Sequence, residues 1–120
     1  MKKATWKKRI EEQMKLAGTY REHFVPVIDA LAAILEERDR TREAFIAGGS
    51  EPLVEVVSDR GAVNMRKNPL LELWIALNKD ALTYWRDLGL TPAGLKKIDE
   101  TAMAPRKRSA LSDALRELGA

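Results

Sequence analysis

The 120-residue chain contains no cysteine. Its absence excludes a disulfide scaffold, a thiol nucleophile and cysteine-ligated zinc, and it fits a reducing compartment. Histidine occurs once, as His23, with no nucleophile or ligand cluster near it in sequence, so a structural place beside Phe24 is the expectation. No apolar run approaches membrane-spanning length, and none follows Lys8 and Arg9 as a signal-peptide core would. A protein that is neither secreted nor inserted in a membrane is expected. There is also no glycine-rich phosphate loop ending in Lys and Ser or Thr, so ATP hydrolysis by that route has no apparatus. The sequence calls for no cofactor, no metal and no catalytic residues.

What is present is 45% apolar and 32% charged residues, the latter of both signs. That balance suits solvated helices around a modest core in one domain. Lys and Arg number 21 against 18 Asp and Glu, a net charge of +3, so the position of the charge says more about a partner than its sum.

Hydrophobic periodicity places the elements. Trp6, Ile10, Met14 and Ala17 recur at helical spacing and Gly18 stops them, giving a first amphipathic helix over 4–17. Thr19 and Glu22 have the spacing of a capping box, and Pro26 sits where a second helix restarts after a short turn. Val27, Ile28, Leu31, Ile34 and Leu35 form its apolar stripe. Residues 36–43 are almost all charged, with Arg38 and Arg42 continuing the stripe until Phe45 and Ile46 restore it. Glu36, Glu37, Asp39 and Glu43 read as an ion-paired helix face and not as metal ligands.

Gly48, Gly49, Ser50 and Pro52 end that helix. Val54, Val56 and Val57, then Ser58 to Gly61, then Ala62, Val63 and Met65 read as a short β-hairpin. Asn68 and Pro69 supply a cap and first-turn proline for a third long helix. Leu70, Trp74, Leu77, Ala81, Tyr84 and Leu88 line one face of it, and Leu71, Ile75, Leu82 and Trp85 an adjacent one. Trp74, Tyr84 and Trp85 could stack on bases, but their helical spacing points to core or subunit interface. Gly89 ends the helix and Thr91 with Pro92 open a fourth, a turn that a helix-turn-helix reader would also contain. After Pro105 come Arg106, Lys107 and Arg108, then an amphipathic segment with Leu111, Leu115 and Leu118. The expected fold is mainly α, amphipathic helices with a short β-hairpin between the second and third long ones. Its divisions are a basic N-terminal helix (1–18), a helix, hairpin, helix core (19–104), and a basic linker with a C-terminal amphipathic helix (105–120).

The segment from Asn68 to Ile98, NPLLELWIALNKDALTYWRDLGLTPAGLKKI, resembles the diagnostic region of one family of tailed-phage terminase small subunits. There an Asn-Pro helix start, a long helix with a polar middle and a Leu-Gly-Leu-Thr-Pro turn follow in this order. Asn68, Pro69, Leu88, Gly89, Leu90, Thr91 and Pro92 match. The layout upstream is similar from about Trp6. The Ser and Arg usual after the Thr-Pro pair are replaced by Ala93, Gly94, Leu95 and Lys96.

The resemblance implies a non-catalytic protein of the host bacterial cytoplasm, from a phage or prophage. Such subunits form ring-like homo-oligomers, bind double-stranded viral DNA and deliver it to the large terminase subunit, which holds the ATPase and nuclease. The alternatives are a small helical dimeric DNA-binding regulator and an assembly or scaffolding protein without DNA affinity. Lys2, Lys3, Lys7, Lys8 and Arg9, with Arg106, Lys107 and Arg108 as a second patch, are the expected DNA contacts; phosphate would also answer the positive end of the first helix. Leu31, Leu35, Arg38, Arg42, Trp74, Leu77, Tyr84 and Trp85 are expected at the subunit interface, the arginines pairing with carboxylates such as Glu36 and Glu43 or a neighbour's. Leu111, Leu115 and Leu118 are expected to meet the large subunit, with an internal packing role as the competing reading.

Overall fold

Glycines in left-handed conformation set where the long helices stop, and the computed structural model describes residues 1–99. Helix α1 spans Lys3–Ala17. The Gly18 N–H bonds the Lys15 carbonyl and the Thr19 N–H the Met14 carbonyl, so Thr19 belongs to the end of α1. The capping box expected at Thr19 and Glu22 therefore does not form. Thr19 is buried, with no partner for its hydroxyl among the described residues, and Glu22 opens a short 3-10 turn, Glu22–Phe24, that has no side-chain cap. Helix α2, Val25–Ala47, restarts there with Pro26 in its first turn, where a missing N–H costs nothing.

Two strands follow, β1 over Leu53–Val57 and β2 over Val63–Lys67, paired antiparallel as one hairpin. Its turn is closed by the Gly61 N–H to the Ser58 carbonyl, with Gly61 left-handed at φ 78°. Helix α3 spans Pro69–Asp87. The Asn68 side chain accepts from the Leu70 N–H at 3.0 Å and caps it, with Pro69 in the first turn. Gly89 repeats the ending seen at Gly18, its neighbour Leu90 donating to the Trp85 carbonyl at 2.9 Å. A fourth helix, α4, starts at 92, and all the described residues from there, 92–99, are helical. Thr91 caps it by accepting from the Gly94 N–H at 3.1 Å.

The fold is thus mainly helical with the hairpin between α2 and α3. Helix α2 is antiparallel to both neighbours, since Trp6 meets Asp39 on one side while Arg38 meets Asn78 and Arg42 meets Trp74 on the other. Ile10, Met14, Ile28, Leu31, Leu35, Ala81 and Leu88 form one buried cluster, each large side chain worth about 1.5–3 kcal/mol of burial. The N-terminal helix belongs to that core through Ile10 and Met14. The hairpin stands apart, with none of its residues buried.

Two glycines permit the α3 to α4 corner. A Cβ at Gly89 would lie 2.6 Å from Ile98 Cδ1 and 3.1 Å from Thr19 Cγ2, and one at Gly94 would collide with the Arg86 carbonyl. The ends of α1 and α3 and the start of α4 therefore pack against one another.

Candidate nucleic-acid interface

The start of α1 carries lysines but no acidic residue in its first turn, and Lys2 offers it no side-chain cap. Its dipole and orphan N–H groups call for negative charge, and α2 supplies it. The Lys3 N–H donates to the Glu36 carboxylate. Asp39 accepts from the Trp6 indole at 2.7 Å, from Arg38 at 3.1 Å and from the N-terminal ammonium at 3.2 Å. The Arg38 guanidinium also lies 5.3 Å over the Trp6 ring and reaches Asn78 on α3. One carboxylate thus ties three segments together.

Burial pushes the Asp39 carboxyl up, but hydrogen bonds from Trp6, Arg38 and the N-terminus and the charge of Arg38 outweigh it, holding it below its ordinary value. A depressed carboxyl contributes stability that is present above its unfolded pKa of about 3.9 and is lost as pH falls through the folded value. Melting temperature followed downward from pH 7 should fall below that point. In Asp39→Asn it should start lower, and this part of the acid loss should be missing.

The expected DNA contacts divide accordingly. Lys3 Nζ is 3.0 Å from Asp29 and is already paired. Lys2, Lys8 and Arg9 are exposed and Lys7 half-buried, none with an ion pair among the described residues. The positive end expected to receive phosphate is occupied by Glu36, so the exposed side chains must carry any contact. Arg106, Lys107, Arg108, Leu111, Leu115 and Leu118 lie outside the described residues.

The interface expectations divide as well. Leu31 and Leu35 have no exposed surface; the stripe expected to need a second subunit is covered by α1 and α3. Arg38 pairs with Asp39 and Arg40 with Glu36 and Glu37, while Arg42 meets no carboxylate among the described residues and lies 5.3 Å over Phe45 and 5.0 Å over Trp74. The ion pairs of Arg38 and Arg40 lie within α2, while Arg38 through Asn78 and Arg42 through Trp74 reach α3 of the same chain. Trp74, Leu77, Tyr84 and Trp85 are half-buried at the margin of the core. The freely exposed apolar side chains include Leu73, Ile75 and Leu82 on α3 and Leu53, Val57, Val63 and Met65 on the hairpin. Ile75 and Leu82 stand on the second apolar face that the spacing indicates.

One basic grouping was not foreseeable from neighbouring positions. Arg21, His23, Arg86 and Lys97, from three separate segments, line one open cleft of about 480 Å³ with Phe24, Ile98 and a single acid, Asp87. Lys96 is exposed on the same α4 helix. His23 stacks edge-on with Phe24 at 4.5 Å, and no group of three His, Asp or Glu among the described residues could hold a metal.

No family model, no curated protein and no solved structure matches the chain. Its own residues therefore carry the functional reading. No helix among the described residues is long and apolar enough to cross a membrane.

Proposed function

We propose that this chain is the small subunit of a phage terminase, a non-catalytic homo-oligomer that binds double-stranded viral DNA and hands it to the large ATPase and nuclease subunit. The observation that carries the reading is the order of features from Gly18 to Thr91. A helix, a Gly-Thr joint, a second long helix, a hairpin, an Asn-capped third helix opened by Pro69 and a left-handed Gly89 before a Thr-capped fourth follow in the order the resemblance implies. Lys2, Lys7, Lys8 and Arg9 on α1 are the first candidate for the DNA contact. Arg21, Arg86 and Lys97 at the corner of α3 and α4 are the second, and repetition around an oligomer would give either patch avidity.

Light scattering coupled to a titration with duplex DNA separates the readings. A closed assembly of more than two copies that binds duplex supports the terminase reading. A dimer on a palindromic site supports a regulator, and an oligomer without DNA affinity supports a scaffold.

Binding through phosphates should fall steeply with salt. Replacing Lys2, Lys8 and Arg9 with Gln should lower the slope of log affinity against log salt by about 1 for every phosphate no longer neutralised, while Lys3→Gln, already paired with Asp29, should change it little. An unchanged slope in the triple variant would move the contact to Arg106, Lys107 and Arg108 or to Arg21, Arg86 and Lys97.

A further inference from the structure

The hairpin shows an alternation that decides what its edges can do. Across it the Ser58 N–H bonds the Ala62 carbonyl and the Asn68 N–H the Pro52 carbonyl, and the register runs from Leu53 opposite Lys67 to Val57 opposite Val63. Antiparallel hydrogen-bonded pairs alternate, so residues 54 and 56 aim their backbone groups inward at 66 and 64. Leu53, Glu55 and Val57 on β1, and Val63, Met65 and Lys67 on β2, aim theirs outward. The apolar members of that set are about half exposed or more: Leu53 at 48%, Val57 at 65%, Val63 at 59% and Met65 at 58%. A lone two-stranded hairpin is marginal in water, and an uncovered apolar edge is a template for another strand.

We propose that hairpins of neighbouring copies of this chain join edge to edge, the outer edge of β1 against the outer edge of β2 of the next copy. The charges choose this pairing. Glu55 lies on β1, with Glu51 just before it, while Arg66 and Lys67 lie on β2; none of the four has an ion pair among the described residues. Pairing β1 with its own copy about a two-fold axis would bring acidic strands together, and pairing β2 with its own copy would bring basic ones together. Pairing unlike strands places acid beside base and leaves a free edge at each end, so addition continues until the assembly closes. The register that sets Glu55 opposite Lys67 of the next copy also sets Val57 opposite Met65. The pairing rests on the oligomeric reading proposed above and names its joint.

The absence of cysteine makes introduced thiols unique in the full chain. Opposed residues in a hydrogen-bonded antiparallel pair have Cα atoms about 5.5 Å apart, inside the roughly 4.4–6.8 Å a disulfide spans. Glu55→Cys and Lys67→Cys in one chain should give a covalent ladder on mild oxidation, and each single variant should stay uncrosslinked. A disulfide dimer from either single variant would overturn the pairing in favour of a two-fold one. No ladder from the double variant, with light scattering still reporting an oligomer, would overturn the hairpin joint and leave the oligomeric reading standing. A monomer would overturn both. As a second arm, Glu55→Lys should raise the concentration for half-assembly about two- to fivefold, and adding Lys67→Glu should restore it. Failure of that rescue would count against the register.

Discussion

Leu31→Ala is expected to lower the unfolding free energy by about 2–5 kcal/mol, by loss of apolar transfer and by the cavity left behind. Leu31 has no exposed surface and sits in the cluster where Ile10 and Met14 of α1 and Ala81 and Leu88 from α3 and its end meet α2. Neighbours on three elements are anchored by hydrogen bonds and caps, so collapse into the hole is restricted and the cost belongs toward the upper part of that range. Because the contact lies within one chain, the loss should be the same at every protein concentration. Urea unfolding at two concentrations checks this. A loss that vanishes at high concentration would return Leu31 to a subunit interface.

Gly94→Ala is expected to cost about 1–3 kcal/mol and to loosen α4 first. The new methyl would meet the Arg86 carbonyl, a backbone group fixed by the end of α3, so relief must come from α4 moving away. That motion would pull Ile98 from Gly89 and weaken the three-way contact with Thr19. Hydrogen exchange at 95–99 should accelerate more than at Ile28 to Leu35, and melting should fall by a few degrees. Equal acceleration in both segments would mean that α4 does not yield separately from the core.

The elements were legible where the signal is local. Gly18, the Asn68 and Pro69 pair, Gly89 and the valines around Ser58 to Gly61 each act through the backbone of their own neighbourhood, and the helix ends and hairpin fall where they indicate. Thr19 and Glu22 misled because two local motifs competed for one residue. As the second residue past Ala17, Thr19 is drawn into the end of α1, where its N–H reaches Met14. The cap of α1 was invisible for the opposite reason, since Glu36 comes from another helix.

The interface and the basic sites were less legible because periodicity identifies an apolar or charged face and not what covers it. The stripe of Leu31 and Leu35 looks too wide for so short a chain, yet α1 and α3 enclose it from both sides. Arg42 continues that stripe by placing its guanidinium over the rings of Phe45 and Trp74, a cation against aromatic rings in place of a carboxylate partner. The cleft of Arg21, Arg86 and Lys97 exists only after three distant segments fold together.

Asn68 does more than begin a helix. Its side chain caps α3 through Leu70 while its amide donates to the Glu51 carbonyl at 2.9 Å, and its own N–H holds the Pro52 carbonyl at 2.9 Å. Strand and helix therefore share one joint, clamped on both sides and adjoining a proline that fixes its own torsion. A joint of that kind behaves as a bracket, and it sets the slope at which the hairpin leaves the bundle. If hairpins link copies in sequence, that slope becomes the turning step from one copy to the next, and the step decides how many copies come round to meet the first. The size of the circle would then be written in the geometry of a single asparagine, and loosening the bracket should broaden the distribution of circle sizes before it dissolves the circle.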